Sequence, residues 1–251
     1  MEEVLLQERV DYALVAATKE EVSMILDSLN TRRHLYKTPF SAILGKLEGQ
    51  DIVVVISNIG ITNVAMASSF VLENFRVKTL VSIGIAGAYR NSGMKPGDVA
   101  IAEEEIYGDM GIDYGAAFEL LDKLGFPLYK DERSIYYNSW PVTSSLLDTA
   151  RGKGRLDSLP TDFSIRTGRF VTVAAVSGSI PRADALERRF GALCENMEGA
   201  AVAQAAKVYG VECFECRGIS NIAGIREKGK WKITEAVNNS QMVFTELIKG
   251  N

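Results

Sequence analysis

The chain has 251 residues, is 47% hydrophobic and 24% charged, and carries a net charge of −4 from 28 basic and 32 acidic side chains. A chain of that size builds an apolar core without metals or cross-links, and the charge balance gives no electrostatic reason to expect nucleic acid or an anionic membrane as partner. No window approaches the ~18 uninterrupted apolar residues of a membrane-spanning helix, and the acidic start MEEVLLQERVDY does not read as a secretory leader, so a cytoplasmic protein is expected.

In chain order, Asp11 to Ala17 (DYALVAA) predicts a buried strand and Lys19 to Leu29 an amphipathic helix capped by Thr18. Ser41 to Leu47 and Asp51 to Ser57 predict a hairpin around Glu48-Gly49-Gln50. Ile61 to Asn74 reads as a helix, and Thr79 to Ile85 as a buried strand that runs into a turn of small residues. Val99 to Ile106 is a further strand. The aromatic, Gly-rich stretch from Gly108 to Asn138 predicts a long functional loop with one short helix, Ala116 to Leu124. Then follow a helix (Thr143 to Gly152), a long strand (Ser164 to Val176), a short helix (Ala183 to Phe190) and an Ala-rich helix from Met197 to Tyr209 stopped by Gly210. Val211 to Ser220 is a strand and Ile233 to Lys249 a closing amphipathic helix.

Alternating strands and helices without a repeat or linker predict α/β: residues 1–251 as a single-domain three-layer α/β/α fold with a central mixed, largely parallel sheet. Ligands of such sheets sit at the carboxyl ends of strands. Cys213 and Cys216 form a C-x-x-C, but in a strand a separation of three puts them on opposite faces, so they read as buried apolar residues, and Cys194 is unpaired in sequence. The one histidine, His34, lies in the polar run TRRHLYK and is expected at the surface. That leaves no Ser-His-Asp hydrolase and no multi-histidine metal site.

Four strand ends carry chemistry. After the first strand, ATKEE places Glu20 and Glu21 in the opening turn of a helix, where acids also simply complement the positive helix end. SNIGITN offers Ile59 and Gly60, and GIAGA offers Ile85, Ala86 and Gly87, for close backbone approach to a ligand. The pattern lacks the third glycine and following acid of a dinucleotide fingerprint, so no cofactor is expected. CENMEGAA holds Asn196, Met197 and Glu198 at the start of an otherwise apolar helix; Glu195 is three residues before Glu198, their relative orientation left open by Asn196. RGISN ends a strand on Ser220 and Asn221, and an Asn amide suits the edge of a planar heterocycle, or an Asx turn.

The order of these motifs resembles the nucleoside phosphorylase/hydrolase superfamily, and within it the hydrolases related to methylthioadenosine/adenosylhomocysteine nucleosidase, over nearly the whole chain from Tyr12. The resemblance implies that Glu21 activates water, with Thr18 and Lys19 departing from the family pattern, while Met197 and Glu198 hold ribose. An oxocarbenium-like transition state gains from a carboxylate and a polarizable thioether nearby. Where adenine-releasing enzymes carry Asp, this chain has Asn221, which implies a 6-oxopurine, hypoxanthine, bound by hydrogen bonds rather than protonated outright. The following NIAGIREKGKWKI resembles the hydrolases of menaquinone biosynthesis whose nucleoside bears an acidic 5′ group; it implies Arg226 and Trp231 near the base pocket, and Arg226 as partner of that acid. Ser177 and Gly178 in SGSIP match a loop whose backbone meets the base, and Asp109 and Asp113 match the substrate mouth, though each also reads as a solvated turn. Glu21 stands where phosphorylases bind phosphate, so water is the expected acceptor. Implied partners are a small-molecule purine nucleoside and further copies of the chain, as a homodimer or higher homo-oligomer with Gly108 to Asn138 at the interface. The alternatives are an adenine-releasing nucleosidase, a phosphorylase, or a catalytically silent nucleoside-binding protein.

Overall fold

The computed structural model describes residues 8–35, 38–115, 117–159 and 161–250. β1 (Glu8–Ala16) ends in five buried residues. The polar run around His34 forms an exposed strand, β2 (Asn30–Leu35), while Tyr36 and Lys37 lie outside the described residues. The expected hairpin is β3 (Ser41–Leu47) and β4 (Gln50–Ile56), turning through Glu48 and Gly49, both at positive φ as a two-residue hairpin loop requires. β5 (Phe75–Ala88) is longer than expected at both ends, and β6 (Val99–Tyr107) follows it.

The segment expected as a loop carries four short strands, β7 (Gly111–Asp113), β8 (Phe118–Leu120), β9 (Tyr129–Lys130) and β10 (Ile135–Tyr136). The helix expected from Ala116 starts on a residue outside the described ones, and only Leu121–Leu124 is helical. The remaining strands are β11 (Ser139–Pro141), β12 (Ile165–Thr172), β13 (Cys194–Asn196) and β14 (Glu212–Ile222). The helices are α1 (Ser23–Ser28), α2 (Ile61–Asn74), α3 (Leu121–Leu124), α4 (Ser145–Gly152), α5 (Arg155–Ser158), α6 (Ile180–Phe190), α7 (Gly199–Tyr209) and α8 (Ile233–Ile248). The helix expected over Lys19 to Leu29 is split into a 3₁₀ turn, Glu20–Val22, and α1.

Ten strands form one sheet, and part of it closes on itself. β1 lies parallel to both β4 and β5, and β3 and β2 continue antiparallel to the outer edge. From β5 the chain of pairings runs through β14 (parallel), β6 (antiparallel), β12 and β13 (each parallel to the last) and back to β5 (antiparallel). This five-stranded ring corrects the expected open three-layer sheet. Its cause is the length of β5: β1 pairs it only as far as Val15 and Ser82, and β13 takes the vacated edge at Gly87 and Ala88. Register shifts at Gly168/Arg169 in β12 and Ile219/Asn221 in β14 add the local coiling that closure demands.

The α/β class and the mixed sheet stand. Helices α2 and α7 pack together on one face, and α1, α4 and α8 cover the other, each with its own apolar cluster. Cys213 belongs to the first cluster and Cys216 to the second, as strand alternation requires; both are free and buried. No helix among the described residues is long and apolar enough to cross a membrane.

Candidate active site

Ring closure brings the ends of β1, β5 and β14 and the short β13 to one rim, where they enclose a cavity of about 490 Å³. All the residues expected at the site line it except Gly60, Ser177 and Gly178, and the two acids matched to its mouth, Asp109 and Asp113.

Glu21 and Glu198 meet at one end of the cavity. Glu21 comes from the 3₁₀ turn, yet is buried. Its Oε2 accepts the Thr18 N–H at 2.9 Å and the Thr18 hydroxyl at 3.3 Å, and Oε1 accepts the Ile85 N–H at 3.0 Å. So Thr18, a departure from the family pattern, contributes a fixed contact to this carboxylate. Burial raises the Glu21 pKa from its ordinary value; Arg217 and the two backbone donors oppose the rise and Glu198 adds to it. Glu198 accepts the Gly60 N–H at 3.0 Å and the Met197 N–H at 3.2 Å. Gly60 therefore touches the carboxylate rather than the cavity, and its φ of 104° is the backbone state that aims its N–H there.

Arg217 escapes a search for strand-end residues, because it lies inside β14 rather than beyond it. Its guanidinium, 1% exposed, donates to Glu198 Oε2 at 3.3 Å, to Glu215 Oε1 at 2.8 Å and to the Ser82 hydroxyl at 2.8 Å. Burial opposes the charge, but Glu215, Glu198 and Glu21 together hold Arg217 above its ordinary range. A Cβ at Gly84 would lie 2.5 Å from Glu21 Oε1 and 2.7 Å from Arg217 Nη1, so β5 must be bare at this point to leave room for both the carboxylate and the guanidinium. The signal was in ECFECRGIS: charges at Glu215 and Arg217, two apart, share one face of an otherwise buried strand.

The other end of the cavity carries Ser220 and Asn221, both neutral. The register shift in β14 turns Ser220 and Asn221 into the rim. Asn221 Oδ1 accepts the Ser220 hydroxyl at 2.8 Å and Nδ2 donates to the Ile222 carbonyl at 3.0 Å, leaving one N–H and one lone pair for a ligand. Arg226 is exposed at the mouth, stacked over Trp231 at 4.8 Å, and no described carboxylate pairs with it. Ile59, Val176, Ile233 and Val237 supply apolar wall.

Glu195 settles the orientation left open by Asn196: it lines the cavity but accepts the Ser177 N–H at 2.7 Å and hydroxyl at 2.6 Å. That ties Ser177 down behind the wall, and the loop presents Val176 instead. Neither Asp109 nor Asp113 lines the cavity. Asp109 accepts the Ala174 and Ala175 N–H groups at 2.9 and 3.2 Å, holding the same loop, and Asp113 caps its own turn at Gly115. Among the described residues no three His, Cys, Asp or Glu side chains converge to hold a metal ion.

Comparison with known proteins fits this geometry. The phosphorylase superfamily profile matches residues 11–249. A futalosine hydrolase of Thermus thermophilus is 35% identical over 80% of this chain and 83% of its own length. A 5′-methylthioadenosine/S-adenosylhomocysteine nucleosidase of Geobacillus sp. is 27% identical over 84% of this chain and 85% of its own. Among solved structures, the nucleosidase of that name from Neisseria meningitidis, in complex with methylthio-immucillin-A, aligns with a TM-score of 0.78 at 21% identity, covering 96% of this chain and 99% of that one. The enzyme of Colwellia psychrerythraea in complex with adenine gives 0.78 at 23% identity, with 96% of each chain covered.

Proposed function

The chain belongs to the phosphorylase superfamily, and on that premise we propose that it hydrolyses the N-glycosidic bond of a 6-oxopurine nucleoside, with futalosine as the substrate that fits best. The carrying observation is the polarity of one cavity: Glu21 and Glu198 at one end, the latter backed by the buried Arg217, and an amide, Asn221, where a base would lie.

Glu21 takes a proton from water as the water oxygen bonds to the anomeric carbon and the carbon–nitrogen bond breaks toward the base. Desolvation makes this carboxylate a stronger base than an exposed one, and its two backbone donors fix its aim. Glu198 and the Met197 sulfur face the sugar as positive charge develops there. A solvent proton taken up at N7 as the bond breaks lets the base leave neutral, and Asn221 accepts from that N7–H and donates to the 6-oxo group without itself supplying a proton. Phosphate in the place of water would confront Glu21 and Glu198 directly. Arg226 on its Trp231 platform suits the carboxylate of the futalosine side chain, and a part in menaquinone biosynthesis belongs to the same reading.

The reading includes a homodimer, for which the segment 108–138 offers exposed Tyr114, Leu124, Phe126 and Ile135. Incubation with futalosine, inosine and methylthioadenosine in phosphate-free buffer tests the whole reading. Hypoxanthine released from futalosine is expected; preferential adenine release, or turnover only with phosphate, overturns it.

A further inference from the structure

Beneath the cavity floor lie two carboxyl groups that this mechanism leaves idle. Glu105 projects from β6 and Glu215 from β14, and both are 0% exposed. Glu105 accepts from Asn196 Nδ2 at 2.5 Å and from the Thr172 hydroxyl at 2.8 Å, both neutral donors. Glu215 Oε1 accepts from Arg217 at 2.8 Å and from the Ser82 hydroxyl at 3.3 Å, but its Oε2, equally buried, meets no donor. The two groups face each other across Gly199, where a Cβ would collide with Glu105 Oε1 and with both oxygens of Glu215. The missing side chain of α7's first residue is what gives the pair its room.

Two carboxylates in contact inside a core cannot both ionise without great cost, so one keeps a proton. A proton on Glu105 supplies the donor that Glu215 Oε2 lacks. The partners also decide which group keeps it, because the guanidinium stands against Glu215 and only neutral groups stand against Glu105.

We propose that Glu105 and Glu215 hold one shared proton, resident on Glu105, and that the pair positions both catalytic carboxylates. Glu215 aims Arg217 at Glu198 and Glu21. Glu105 fixes Asn196, whose Oδ1 accepts the N–H of Glu198 at 2.9 Å and of Gly199 at 2.7 Å. The two ends of the pair thus grip the side chain and the backbone of Glu198 respectively. Burial first, and then the charge of Glu215, lifts the Glu105 pKa well above the carboxylate range, while Asn196 and Thr172 oppose the rise. Other ionisable groups facing the pair are Arg217, Cys213 and Cys216 on β14, Cys194 on β13, Tyr89 beyond β5 and Tyr107 on β6, with Glu21 and Glu198 beyond Arg217. Of these only Arg217 carries positive charge.

The positioning role rests on the hydrolase reading; the shared proton does not. Infrared difference spectra at pH 7 should show a protonated-carboxyl band that disappears in Glu105→Gln and survives in Glu21→Gln. No such band, or one that survives in Glu105→Gln, overturns the proton assignment. In kinetics with futalosine, Glu105→Gln, which keeps the neutral group, should stay within about threefold of the parent kcat/KM, while Glu105→Ala and Glu215→Gln fall by about tenfold or more. Removing the Glu215 charge leaves more of the Arg217 field for Glu21, so the acid limb of the pH profile in Glu215→Gln should move down by up to about one unit. Equal losses in Glu105→Gln and Glu215→Gln, with both acid limbs unmoved, overturn the positioning role. A parent protein that shows the band but hydrolyses no nucleoside would sink the hydrolase reading, and the positioning role with it, and leave the shared proton standing.

Discussion

At the scale of single residues, the site spends stability on a buried carboxylate. Glu21 has a raised pKa in the fold, so its contribution to stability is fully present below its ordinary value of 4.5 and is lost as pH climbs through the raised value. The ionised form that the proposed hydrolysis needs is the form the fold disfavours. Glu21→Gln should therefore melt higher than the parent at pH 7 in thermal unfolding, while kcat drops by about 10²–10⁴-fold. In the parent, kcat/KM should fall with acid through a pKa above 4.5. Arg226→Ala should raise KM for futalosine about tenfold, consistent with loss of one charge-assisted contact at a partly wet mouth, and leave inosine unaffected. An unchanged futalosine KM would remove Arg226 from the site. Glu21, Glu198 and Asn221 were legible because each terminates or follows a strand in a recognisable motif. Arg217 and Glu215 were not, because a charge inside a buried strand reads first as an interruption of the core and only in three dimensions as a partner of residues over a hundred positions away, such as Ser82 and Glu105.

At the scale of elements, legibility followed the strength of the local period. Helix α2 runs from Ile61 to Asn74 as its apolar spacing predicts, and the β3–β4 hairpin has the expected turn. β13 is three residues long and carries no pattern of its own; it exists because β5 offers an open edge beyond β1. Likewise β7 to β10 pair only with one another, in a stretch too rich in glycine and aromatics to show a period of two. α8 is legible and structurally heavy: Phe244, 0% exposed, meets Tyr12 of β1 edge-on at 5.6 Å and Phe214 of β14 at 6.0 Å. It thereby clamps together the two strands that deliver Ala17 and Asn221 to the cavity. Phe244→Ala should cost about 3–5 kcal/mol of unfolding free energy, measured by denaturant titration.

At the scale of the whole molecule, closure of β5, β14, β6, β12 and β13 into a ring was invisible in the sequence, since it depends on antiparallel contacts between segments far apart in the chain. Its reward is a rim on which four strand ends are held by neighbours on both sides. The same topology bears on behaviour in a crowded solution. A ten-stranded sheet that remained fully open would offer long unpaired flanks to any passing chain, whereas among the described residues the free flanks of this sheet shrink to β2 and β11. β11 is three residues long and ends on Pro141, which has no N–H to donate, and β2 exposes Arg32 and Arg33, each paired with an acid, Asp27 and Glu8. Exchanging Arg32 and Arg33 for valine should leave the melting temperature within a few degrees and yet yield concentration-dependent association by light scattering, because a flank that now repels strand addition would become a template for it.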